Sequence, residues 1–127
     1  MTIRGVGTDI VATARMRGLI ERHGERVFHR ILARGEFGSL PESADAAPFL
    51  ARRFAAKEAT AKALGTGIAK GVRFCDIEIE TQGNGRPALI LHGATRDLAR
   101  ELGVSRYHVS ISDEDHYAMA FAILEAV

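Results

Sequence analysis

Hydrophobic and polar positions along this chain follow two periods, and the change from one to the other marks out the elements. From Phe49 to Gly71, F-L-A-R-R-F-A-A-K-E-A-T-A-K-A-L-G-T-G-I-A-K-G, the spacing is helical, with Pro48 just ahead and Gly65 placed as a left-handed stop. At about 3.6 residues per turn, Leu50, Phe54, Glu58, Ala61 and Lys62 share one side. Glu58 is therefore expected in a largely apolar stripe that looks inward. A carboxylate there is costly to bury unless a cation or a metal meets it.

The remaining segments flank this helix. Ile3 to Val11 reads as a short strand broken by Gly5 and Gly7, and glycine in a strand often marks the close approach of another backbone or a ligand. Asp9 lies near its end as either an exposed terminus or a functional acid, since aspartate is depleted in strands. Thr13 to Arg34 reads as helical with a break at Gly24. Met16, Leu19, Ile20, His23, Val27 and Ile31 give it one apolar face. Glu36 to Pro48 is a loop or short helical turn punctuated by Pro41, Ser43 and Pro48. Val72 to Glu80 alternates Phe74, Ile77 and Ile79 against Asp76, Glu78 and Glu80, the pattern of a half-buried strand. Gly83-Asn84-Gly85 predicts a hairpin returning through Pro87 to His92. Thr95 to Leu102 follows as a short helix with Ala94, Leu98 and Leu102 on its buried face and Gly103 as its stop. Tyr107 to Ser112 and Tyr117 to Glu125 then pair around Asp113-Glu114-Asp115. The last strand alternates Tyr117, Met119, Phe121 and Ile123 with Ala118, Ala120 and Ala122, so both of its faces are expected to be covered, one of them by another subunit.

Composition narrows the class. A chain of 127 residues suffices for one domain, 1–127, with a single core. Its apolar runs all fall well short of the roughly 20 residues that cross a bilayer, and polar residues by position 9 are unlike a signal peptide. The lone Cys75 excludes an internal disulfide and offers no zinc spacing, which fits a reducing, cytoplasmic setting. The net charge of +1 hides a concentration of base. Arg15, Arg17, Arg22, Arg26, Arg30 and Arg34 meet only Glu21 and Glu25 in the same span, six charges against two. That face is either a solvated surface or a dock for an acidic partner. Nucleic acid is disfavoured, because few aromatics interleave the arginines and no binding motif is present.

Carboxylate, ammonium and a glycine-rich loop beside one helix end are parts suited to phosphate chemistry. Glu58 and Lys62 also stand at i and i+4, the spacing of an ordinary surface pair. Two motifs taken together favour the chemistry. G-V-G-T-D-I at 5–10 and R-R-F-A-A-K-E-A-T-A-K-A-L-G-T-G-I at 52–68 closely resemble the signature motifs of the small, single-domain branch of the 4′-phosphopantetheinyl transferases, the holo-acyl-carrier-protein synthases. Their spacing, the hairpin after the second and H-V-S-I-S near the C-terminus extend the resemblance over about residues 3–125.

The resemblance implies an α+β fold, a small antiparallel sheet packed with helices, assembled as a homotrimer with active sites between subunits. It implies transfer of phosphopantetheine from coenzyme A to a serine of apo-acyl carrier protein, a step serving fatty acid biosynthesis. Asp9 and Glu58 match the family's magnesium ligands, and either Glu58 or a water held by the carboxylates would take the serine proton. Lys62 and Gly65 match positions at the pyrophosphate, and Arg53 and His108 match positions near the 3′-phosphate and adenosine. Arg15, Arg22, Arg26, Phe28 and Arg30 are the candidates for docking the acidic carrier. Many relatives have His where this chain has Asp113. Two rivals predict differently. A hydrolase or other phosphotransferase would consume coenzyme A without a carrier, and a non-catalytic basic module would tolerate loss of Asp9 and Glu58.

Overall fold

The computed structural model describes residues 1–42 and 44–127, so the punctuation expected at Ser43 lies outside the described residues. Strand β1, Thr2–Ala12, runs directly into helix α1, Thr13–His23. Gly24, at φ +61°, turns the chain into α2, Glu25–Ile31. A 3₁₀ turn, Arg34–Ser39, leads on to the long helix α3, Ala47–Ala63. A second 3₁₀ turn, Phe74–Asp76, precedes β2, Ile77–Thr81, and β3, Pro87–Leu91. Helix α4, Gly93–Glu101, and strands β4, Arg106–Asp113, and β5, Tyr117–Ala126, complete the chain.

The strands form two antiparallel sheets, ordered β1-β5-β4 and β2-β3. The architecture is the expected α+β arrangement, with α3 lying across the larger sheet.

What lets α3 lie so close is the small-residue surface on both sides. Gly5, Gly7, Asp9 and Val11 alternate inward on β1, opposite Leu124, Ala122, Ala120 and Ala118 of β5. A Cβ at Gly7 would stand 1.9 Å from Ala59 O, and one at Gly5 1.9 Å from Ala63 O, distances no side chain tolerates. The glycines therefore do not break β1. They allow the helix backbone to rest on the strand, and the one irregularity is a register shift between Ile3 and Gly5.

Helix α3 starts at Ala47, which puts Pro48 in the first turn, where a missing N–H costs nothing. Asp45 Oδ1 accepts from Ala47 N at 3.1 Å. Gly65, at φ +88°, turns left-handed just past the helix end, as its position after the last helical residue predicts. One expectation for this helix is corrected. Its apolar surface is not a stripe, because Ala51, Ala55, Ala56, Ala59, Ala61 and Lys57 are buried alongside Leu50 and Phe54. Arg52, Glu58 and Lys62 form the more open strip, and Glu58 is half-buried at its edge rather than directed into the core.

Two further expectations change. The strand expected over Val72–Glu80 is extended only from Ile77. Before it, Asp76 accepts from Arg73 Nε and Nη2 at 3.2 Å each, and this local pairing curls the backbone into a 3₁₀ turn and buries the aspartate. Helix α4 turns Thr95 and Ala99 inward, with Ala94 and Leu102 exposed, and Thr95 Oγ1 accepts from Arg73 N, just ahead of the second 3₁₀ turn, at 3.4 Å. On β5 the alanine face is covered by α3, whereas Tyr117, Met119 and Phe121 point outward and are exposed in the single chain.

Candidate active site

Because Gly5 and Gly7 bring β1 against α3, the next inward residue of the strand, Asp9, comes out beside the open strip of the helix. Lys62 Nζ donates to Asp9 Oδ1 and to Thr8 O, each at 3.0 Å. These residues stand 53 and 54 positions apart, so the contact is wholly tertiary. The ordinary i to i+4 pair between Glu58 and Lys62 is not the bond that forms, since the ammonium turns across to the strand.

Glu58 has the electrostatics of a group short of a partner. Burial pushes its carboxyl above the usual range and the charge of Asp9 adds to this, while Lys62 and Arg15 pull in the opposite sense. Two acids thus face one space with only partial compensation from nearby cations. Among the described residues no three His, Cys, Asp or Glu side chains converge. The donor set is two hard carboxylates, which fits a divalent cation that keeps waters and completes its shell with a ligand's own oxygens.

A cleft of about 560 Å³ opens from Glu58 along α1 and α2. Leu19, Val27, Ile31, Phe54 and Phe74 supply its apolar lining, and Arg15, His23, Arg26 and Arg30 its polar one. The Arg15 guanidinium stacks 5.1 Å from the centre of the Phe54 ring, a contact that spares it from solvating freely.

The structure therefore places the Asp9–Lys62 pair close enough to Glu58 to act on its charge, and Glu58 lines a cleft with Arg15, Arg26 and Arg30. Gly65 follows one turn beyond. Four residues singled out in the sequence lie elsewhere. Arg22 is exposed on α1 outside the cleft lining. Phe28 faces a separate groove with His29, Phe37 and Leu40. Arg53 turns inward, donating to Glu36 Oε2 at 3.2 Å and to Ile79 O, and borders a third cavity of about 220 Å³ with Phe49, Arg52, Gly85, Pro87 and Ile111. His108 stands on the outer face of the β1-β5-β4 sheet, bonded to Glu125, with the sheet between it and Asp9. Asp113 is engaged by Arg52 at 3.2 Å.

Two charged residues with fully buried side chains escaped the sequence reading. Lys57 and Glu36 pair inside the protein, and Arg53 is their third member. The available signal was Lys57's place among alanines on α3, one residue before Glu58.

Comparison with known proteins identifies the class that this fold and site define. Residues 5–122 match the model of the 4′-phosphopantetheinyl transferase superfamily, and the chain belongs to that family. The holo-acyl-carrier-protein synthase of Alkalilimnicola ehrlichii is 54% identical over 125 residues, covering 98% of each chain. The crystal structure of the holo-acyl-carrier-protein synthase from Neisseria meningitidis superposes with a TM-score of 0.90 at 40% identity, covering 97% of this chain and 98% of that one. The Helicobacter pylori enzyme of the same name, solved in complex with coenzyme A, aligns with a TM-score of 0.83 at 28% identity over 94% of this chain and 99% of its own.

Proposed function

We propose that this chain, as one 1–127 domain, transfers the 4′-phosphopantetheine group of coenzyme A to a serine hydroxyl of an apo-acyl carrier protein, releasing adenosine 3′,5′-bisphosphate. The observation that carries this reading is the Asp9–Lys62 pair beside Glu58, which itself lines a cleft with three arginines. Asp9 and Glu58 would hold Mg²⁺, which supplies charge stabilisation at a bound pyrophosphate.

The chain's own groups do the rest. The serine oxygen forms a bond to the β-phosphorus, and the bond from that phosphorus to the bridging oxygen breaks, its electrons leaving on the bisphosphate. The serine proton passes to Glu58 or to a water held by the two carboxylates. Lys62, drawn from Asp9 towards the phosphates, neutralises the leaving group together with the backbone around Gly65. Arg53 and Arg52 border a cavity against the β2–β3 hairpin that suits the 3′-phosphate and adenosine end. The carrier docks its acidic surface over Arg15, Arg26 and Arg30, with Arg22 and Phe28 at the periphery, and its apolar residues over Phe54 and Leu19.

We further assign the outer sheet face to subunit packing, in the homotrimer that the family resemblance implies. Ile3, Val6, Ile10, Tyr117, Met119 and Phe121 are all exposed there, a larger apolar patch than a lone chain usually leaves to water. His108 shares that face, so within the assembly it serves the site of a neighbouring copy. The lone Cys75 suits a cytoplasmic location, where carrier proteins for fatty acid biosynthesis would be the acceptors.

The test is the intact mass of an apo-acyl carrier protein incubated with this protein, coenzyme A and Mg²⁺. A gain of one phosphopantetheine, abolished by chelator, is the expected result. Cleavage of coenzyme A with an unmodified carrier would replace the transferase by a hydrolase, and intact coenzyme A across a panel of acidic carriers would refute catalysis of this transfer.

A further inference from the structure

Glu36, Lys57 and Arg53 sit behind the cleft, and the transfer chemistry uses neither Glu36 nor Lys57. Lys57 Nζ donates to Ile31 O at 2.6 Å, to Phe74 O at 3.1 Å and to Glu36 Oε1. Glu36 in turn accepts from Ala33 N at 2.7 Å, Arg53 Nη1 at 3.2 Å and Ile79 N at 3.3 Å. One ammonium and one carboxylate thereby join the end of α2, both 3₁₀ turns, α3 and β2.

The partners are not randomly placed. Ile31 and Phe74, whose carbonyls Lys57 holds, both line the cleft, and so does Glu58, its neighbour in the chain. Ile31 is the last residue of α2, the helix that carries Arg26 and Arg30. Lys57 therefore ties the helix bearing the basic lining to the helix bearing the acid. A buried ion pair adds little net stability over apolar groups of similar size, since both charges must be dehydrated. Directional bonds to named carbonyls are what apolar groups would not supply.

We propose that the Lys57–Glu36 pair is a positioning device for the carrier: it holds α2 and the Phe74 turn at a set distance from Glu58, so that a carrier bound on the arginines presents its serine to the acid pair. This rests on the reading of the cleft as the carrier's docking surface.

Steady-state kinetics with apo-acyl carrier protein and coenzyme A test it on the whole protein. In Glu36→Gln/Lys57→Met the amide oxygen still accepts from Arg53 and Ile79, but the bond from Ala33 N and the links to Ile31 and Phe74 are gone. The KM for carrier should rise about tenfold, with the KM for coenzyme A and kcat at saturating carrier within about twofold. A purely structural pair would instead lower kcat through loss of folded protein and leave both KM values, an outcome that overturns the proposal. Should the double variant not fold, Lys57→Arg decides. It keeps the charge but not the compact ammonium's three bonds, so the carrier KM should rise roughly threefold, and an unchanged KM overturns the proposal. Arg26→Glu separates this idea from the one beneath it. A raised carrier KM there beside an unchanged one in the pair variants overturns positioning alone, whereas an unchanged KM in Arg26→Glu removes the docking surface itself.

Discussion

Lys57 and Glu58 are neighbours on α3, yet they belong to two charged clusters of opposite character. On the inner side, Glu36 is met by Lys57 and Arg53 and by two backbone amides. Among the described residues no buried side-chain nitrogen or oxygen lacks a hydrogen-bond partner. Burial draws Lys57 below the ordinary lysine value, and Glu36 opposes that pull. On the open side, two acids share one nearby ammonium, and Glu58 is pushed up by burial and by Asp9. The difference teaches what each cluster is for. A charge set that fixes parts of the chain against one another is completed within the chain, whereas one that has to bind something is left for the ligand to complete.

Single substitutions break this comparison at different points. The largest effect is expected from Glu58→Gln, which removes the acid but keeps the shape. Transfer measured at saturating coenzyme A should fall by at least about a thousandfold, with the melting temperature unchanged or raised because a repulsion is relieved. Normal turnover would remove Glu58 from the site. Lys57→Met, one residue away, should do the opposite. Leaving Glu36 buried with a single cation is expected to cost about 3–5 kcal/mol in urea unfolding, while the folded fraction still turns over at saturating carrier. Gly7→Ala strikes both clusters at once, because its Cβ would meet Ala59 O. Lifting α3 from β1 should cost about 1–3 kcal/mol and lower kcat roughly tenfold or more by separating Asp9 from Glu58. A Gly7→Ala protein that is less stable but fully active would show that the acid pair does not depend on this contact.

Much of this was legible in the sequence, for reasons that the particular residues make plain. Glycines in a strand signal close approach, and Gly5 and Gly7 do receive another backbone. Gly24 breaks the first helical span where its position foretells, and Gly65 takes the positive φ expected of a helix stop. The meeting of Asp9 with Lys62 and Glu58 was reachable only through the paired motifs, since no local pattern relates positions 53 and 49 residues apart. Lys57 had its place among alanines as its signal, but not its phase. Helical phase reports a buried face only when another face is open, and α3 is covered almost all round. Its partner Glu36 lies 21 positions upstream in a turn that no periodicity describes. The same limit applies to His108. Alternation along β4 says which residues share a face, but not that this face is turned from the acids.

The glycine and alanine seam between β1 and α3 also has a bearing on how the protein can diverge. Where two elements meet through large side chains, a substitution on one can be absorbed by a new rotamer on the other, and the gap between the elements drifts. At Gly5 and Gly7 the helix meets the strand through main-chain atoms of Ala59 and Ala63, so there is no adjustable part in the joint. Randomising Met16, Leu50 and Leu124 should return many working sequences, because those positions can be repacked, whereas a library at the four seam positions should return almost none. The spacing of Asp9 and Glu58 is in this sense inherited from the backbone, and sequence change elsewhere in the core can accumulate without resetting it.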